Sequence, residues 1–164
     1  MHGMFGSLSN LAALARVMYG DHRVISVDLR NHGDSPHEEA MDIPLMAADI
    51  IELMDDLRLP SAVLIGHSLG GKVAMQIALN HPQRVASLVV GDISPVQYPQ
   101  TNNVLALDAL EALSQQQITS RAAADETMGR YIDEPVTKGF LLKNVRRLSA
   151  EKFELKLNMS SITK

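Results

Sequence analysis

Residues 62–82 constrain the fold of this chain more than any other stretch. The apolar run Ala62-Val63-Leu64-Ile65 leads directly into Gly66-His67-Ser68-Leu69-Gly70-Gly71. An amphipathic segment from Lys72 to Asn80 follows, closed by His81-Pro82. A short continuous apolar run predicts a strand buried on both faces, as in a parallel sheet covered by helices. Small residues on either side of a serine predict a sharp turn between strand and helix, because bulkier neighbours would not fit.

The flanking sequence repeats the same alternation. Residues 8–18 carry Leu8, Leu11, Leu14, Ala15 and Met18 at helical spacing. The β-rich run Arg23 to Asp28 follows, and then a polar loop, NHGDSPHEE. A helix is predicted over 45–57, with Ile50, Leu53, Met54 and Leu57 on one face. Another strand is predicted from Val85 to Val90, ending at Gly91-Asp92, with Pro95 and Pro99 marking a break. Strand and helix in alternation predict an α/β architecture, a mainly parallel sheet flanked by helices. Beyond residue 100 the alternation stops. Helices are predicted at 103–117, 119–131 and 135–148, with little strand signal before 153–157, so this part reads as a helical insertion. The division is therefore residues 1–95 for the sheet-bearing core and 96–164 for the insertion and the start of the return to the core.

Bulk properties mainly exclude. The 164 residues contain no cysteine, which removes disulfides and thiolate metal sites. A formal charge of −4 argues against nucleic acid or an anionic membrane as a main partner. The basic residues Lys143, Arg146 and Arg147 read as a solvated helix face. No apolar run approaches the ~20 residues that a membrane span requires. The opening residues lack a basic start, and Asn10 and Arg16 interrupt what would be the apolar region of a signal peptide. Cytoplasm is the expected compartment, or an organelle if an import signal lies upstream.

Gly66-x-Ser68-x-Gly70 between strand and helix fits the nucleophile elbow, which lifts a serine hydroxyl above the carboxyl edge of a sheet. The helix behind it presents unbonded N–H groups to a developing oxyanion, and Leu69 N–H is the first donor. The pentamer His2-Gly3-Met4-Phe5-Gly6 matches the loop that supplies the second donor, assigned to Met4 N–H. One rival reading uses Gly66 to Lys72, which also satisfies the first seven positions of a phosphate-binding P-loop. Its eighth position requires Ser or Thr for Mg²⁺, and Val73 stands there. His32, Asp34, His37, Glu38 and Glu39 resemble a metal loop, but Met41 breaks the helical zinc pattern and a solvated loop is expected.

HGMFGS, VDLRNHGDSPH, GHSLGGK and VVGDISP, in this order, resemble the α/β-hydrolase superfamily of serine hydrolases. Within it they resemble the group of abhydrolase domain-containing protein eleven and related small bacterial esterases. The resemblance implies a helical cap over the site and hydrolysis of a small acyl ester or thioester without cofactor or metal. It makes Ser68 the nucleophile, with Met4 and Leu69 as oxyanion donors. Bacterial relatives place the acid at Asp92, although a turn or cap aspartate, with the acid on a later strand, reads equally well there.

The departures are as informative. The family's order is serine, acid, histidine, yet the last histidine of this sequence is His81. His67 is expected to point the wrong way from its place on the elbow. The chain therefore reads as a fragment, a partial α/β-hydrolase fold whose first and last strands are missing. In the family's sheet order, one missing strand lies between residues 23–28 and 62–66. The expectation is that the segment alone folds poorly and shows no serine-dependent turnover. Two readings stay open: a non-catalytic interaction protein that retains the fold, and another chemistry on the same scaffold, such as C–C bond hydrolysis or lyase activity. Oligomeric state is not readable.

Overall fold

The computed structural model describes residues 1–96, 104–150 and 152–163. The chain divides into two compact units, Met1–Val96 and Gln97–Lys164. The first holds helix α1 (Ala12–Met18), helix α2 (Ile43–Asp56), strand β1 (Ala62–His67), helix α3 (Leu69–Asn80) and strand β2 (Val85–Gly91). β1 and β2 pair in parallel, from Ala62 opposite Val85 to His67 opposite Gly91. The crossover between them is α3, as a parallel pair requires.

Helix α2 begins where its sequence provides a cap. The Asp42 carboxylate accepts the Leu45 N–H at 2.7 Å, and Pro44 occupies the first turn, where its missing N–H is harmless. Its apolar stripe of Met46, Ala47, Ile50 and Met54 packs with Leu29, Leu64, Val73, Ala74 and Ile77 into the core of this unit. Helix α3 starts at Leu69, immediately behind Ser68, three residues earlier than its sequence pattern predicts.

The predicted strand at 23–28 is a correction. The segment has no regular secondary structure and belongs to no sheet among the described residues. Between it and β1 lies a cavity of about 310 Å³. Val24, Ile25 and Val27 line it from one side and Ala62 to Ile65 from the other, with Ile50, Leu53 and Met54 of α2 also contributing. A strand needs a partner for its N–H and C=O groups, and here the two would-be partners face each other across an apolar slot. Among the described residues, the slot is bridged at its Met1 end. The Met1 ammonium donates to Ile65 O at 2.7 Å, and His67 N–H donates to Met1 O at 3.1 Å. These bonds flank Gly66 in the pattern of a parallel ladder.

The second unit contains helices α4 (Val104–Ser114), α5 (Arg121–Gly129) and α6 (Pro135–Leu141), strands β3 (Val145–Arg147) and β4 (Phe153–Leu155), and helix α7 (Met159–Ile162). Leu110, Leu113, Met128 and Leu141 are buried in it. Ser120 caps α5 by accepting the Ala123 N–H. Residues 135–148 do not form the single helix predicted for them. α6 stops at Leu141, and Val145 to Arg147 pair antiparallel with Phe153 to Leu155. The basic cluster is thereby corrected too: Arg146 is ion-paired across the hairpin to Glu154, and the Arg147 guanidinium lies 6.0 Å from the Phe153 ring centre. Cross-strand pairing and burial of Val145 outweigh the helical spacing of this stretch. Pro99 and the predicted helix start at residue 103 lie outside the described residues.

Candidate active site

Ser68 sits at the junction of β1 and α3 with φ 50° and ψ −115°, a conformation unfavourable for any residue with a side chain. The turn holds because its neighbours leave room. A Cβ on Gly66 would fall 2.2 Å from Gly70 O, and one on Gly70 would fall 2.5 Å from Met1 O. Backbone bonds lock the strained residue in place: Ser68 N–H donates to Gly91 O at 2.9 Å, and Lys72 N–H donates to Ser68 O at 3.1 Å. The Ser68 side chain makes no capping hydrogen bond to α3, so its hydroxyl is not consumed by the helix it precedes.

The loop of residues 2–6 lies against the start of α3. Gly70 N–H donates to His2 O at 3.0 Å, and Gly6 N–H closes a tight turn on Gly3 O at 3.0 Å. Phe5 N–H is taken by His32 Nε2 at 3.3 Å. Among the described residues neither Met4 N–H nor Leu69 N–H makes a hydrogen bond. Both amides named from the sequence are thus without an acceptor among the described residues, on segments joined through the His2–Gly70 bond.

Asp92 follows Gly91 at the carboxyl end of β2, with φ 55°. Its Oδ2 lies 3.7 Å from Nε2 of His67, and both side chains are exposed. No backbone N–H among the described residues bonds to this carboxylate, so it caps no turn. His67 is turned toward Asp92, and no histidine nitrogen among the described residues is hydrogen-bonded to the Ser68 hydroxyl.

The polar loop after residue 29 departs from expectation. Asn31 and His32 are fully buried, not solvated. Asp28 draws the loop inward, accepting Leu8 N–H at 2.6 Å and Asp34 N–H at 2.9 Å. His32 Nδ1 donates to Arg30 O, while His2 Nδ1 donates to Gly3 O and His2 Nε2 accepts Leu29 N–H. Each ring has one carbonyl and one N–H as partners, which fixes both as neutral Nδ1–H tautomers. Their centres are 5.2 Å apart. Burial lowers both pKa values, that of His32 to about 4. Sequence periodicity gives no sign of this pair, because a loop histidine carries no burial pattern. Among the described residues no three His, Cys, Asp or Glu side chains gather as a metal site, and no helix is long and apolar enough to cross a membrane.

A strained serine between a parallel strand and a helix, backed by a loop of this form, is a family signature. The family profile described as alpha/beta hydrolase fold matches residues 1–162. The chain belongs to the α/β-hydrolase family. It is similar to the esterase YbfF of Escherichia coli (strain K12), at 39% identity over 144 residues, covering 88% of this chain and 57% of that protein. It is also similar to the sn-1-specific diacylglycerol lipase ABHD11 of Xenopus laevis, at 36% identity, covering 100% of this chain and 54% of the lipase. Among solved structures, a marine microorganism esterase superposes with a TM-score of 0.90 at 34% identity, over 99% of this chain and 64% of that one. The chain thus spans about half the length of these curated α/β-hydrolase relatives.

Proposed function

We propose that this chain carries the nucleophile and oxyanion site of a serine hydrolase that cleaves carboxylic esters or thioesters through an acyl-enzyme. Ser68 Oγ attacks the acyl carbonyl, and Met4 and Leu69 N–H hold the oxyanion. Asp92 orients the general base, a histidine that none of the six in this chain supplies. The carrying observation is the strained Ser68 with its side chain uncapped, beside two amides that make no internal hydrogen bond. Asp92 is supported by its place at the end of β2 and by a carboxylate that caps no backbone N–H. The names of the relatives, an esterase and a diacylglycerol lipase, support ester chemistry. We assign the second unit to the cap that shapes acyl selection.

An unassisted serine hydroxyl is a poor nucleophile near neutral pH. Residues 1–164 alone are therefore expected to show no serine-dependent turnover. Hydrolysis of a short-chain aryl ester that disappears in Ser68→Ala would overturn that expectation. In the full-length gene product, a fluorophosphonate should label Ser68, and Ser68→Ala should abolish both labelling and hydrolysis. A substrate panel then separates ester from C–C bond cleavage. An unlabelled but folded full-length protein would favour the non-catalytic reading, which the absence, among the described residues, of a histidine bonded to Ser68 motivates.

A further inference from the structure

The pair of buried histidines beneath the oxyanion loop has no part in the reaction proposed above, yet one of them bonds directly to that loop. Three consecutive amides, of Met4, Phe5 and Gly6, lie in its turn. Gly6 N–H closes the turn on Gly3 O, and Phe5 N–H goes to Nε2 of His32. That leaves Met4 N–H as the amide of the three with no internal acceptor. Phe5 itself has φ 59° and is 4% exposed. A bulky residue in the left-handed region is strained and persists only where its surroundings hold it. His32 is held in turn: its Nδ1 donates to Arg30 O, and the ring is fully buried. With both ring nitrogens engaged, the imidazole cannot rotate without losing a bond at each end.

We propose that His32 is a positioning residue for the oxyanion loop, its Nε2 fixing Phe5 so that Met4 N–H is presented to the reacting acyl oxygen. This role rests on the serine-hydrolase reading above. His32 touches neither substrate nor Ser68; it acts through the geometry of one turn. Losing a single oxyanion donor, or displacing it by about 1 Å, costs orders of magnitude in turnover with little effect on ground-state binding.

The test is hydrolysis of p-nitrophenyl butyrate by the full-length gene product, comparing wild type with His32→Leu, His32→Gln and Ser68→Ala. His32→Leu fills the space without an acceptor and should lower kcat about 10- to 100-fold with KM within about threefold. His32→Gln retains an oxygen acceptor for Phe5 N–H and should recover kcat to within about fivefold of wild type. A His32→Leu enzyme with wild-type kcat beside an inactive Ser68→Ala overturns the positioning role alone. Equal losses in the Leu and Gln variants also overturn it, since packing rather than the acceptor would then matter. Turnover that survives Ser68→Ala overturns the serine reading and this role with it. Where the variants fold poorly, ring ¹⁵N shifts of the wild-type protein decide: an unprotonated Nε2 on His32 is expected, and an Nε2–H tautomer overturns the assignment.

Discussion

The two edges of β1 have the same sequence and opposite fates. Along one edge, Ala62 to His67 pair with β2, with one register shift between Ala62 and Val63. Along the other, among the described residues only Gly66 is flanked by bonds, to Met1, and Ala62 to Ile65 border an apolar slot that residues 24–27 also line. The paired edge leads to Ser68, whose backbone is tied to β2 and α3. Val63 is 48% exposed and Ile25 40% exposed, although both read as strand interior. An apolar run therefore specifies that a strand is to be buried, but a neighbour must supply the burial.

The comparison can be broken most severely at its closed end. Gly66→Val places a side chain into the backbone of Gly70 and should cost more than about 4 kcal/mol. Urea denaturation followed by circular dichroism should find residues 1–96 unfolded in the variant. A variant that unfolds with the wild-type midpoint would mean that the elbow is not packed as described.

Acid attacks the same end through the buried histidines. His32 is faced by His2, Asp28 and His37, and its pKa falls from 6.5 to about 4 through burial. The unfolded chain takes up the proton first as pH drops, so stability is full above 6.5 and is lost progressively toward pH 4. The loss from His32 amounts to about 3 kcal/mol, and His2 adds to it in the same direction. Urea midpoints measured from pH 7 to pH 4 should show this slope, and His32→Gln should flatten it.

The sides of β1 should also differ in mutational cost. Leu64→Ala removes a side chain that is 6% exposed and should cost about 2–3 kcal/mol, the lower end for such a change because the adjacent slot lets the site relax. Val63→Ala should cost less than about 1 kcal/mol, and equal costs would show that the slot is filled in solution. An effect of similar size concerns the anchor of the unpaired segment. Arg30 holds Asp49 of α2 through two bonds, 2.6 and 2.5 Å long, and this pairing raises the arginine's pKa. Arg30→Lys loses the forked geometry and should lower thermal stability by about 1 kcal/mol.

Local sequence made much of the site legible. Gly66, Ser68 and Gly70 declare a tight turn because only small residues tolerate the approach, and the apolar run before them declares the strand. Met4 and Leu69 could be named from their spacing in the two motifs, and among the described residues their amides have no hydrogen-bond acceptor. The second unit was less legible. Residues 135–148 have helical spacing, yet Val145 to Arg147 join a hairpin because Glu154 and Phe153 stand opposite them.

What the sequence by itself determined is the order of elements, the strained serine and the small residues that permit it, since these depend on the chain's own sterics over a few residues. Only tertiary structure decided three further matters: that residues 23–28 join no sheet among the described residues, that Asp92 stands beside His67, and that His2 and His32 are buried as neutral rings against the loop of residues 2–6. The reason is common to all three. Pairing, ion contact and burial depend on which groups arrive from elsewhere in the chain, and local periodicity carries no information about them.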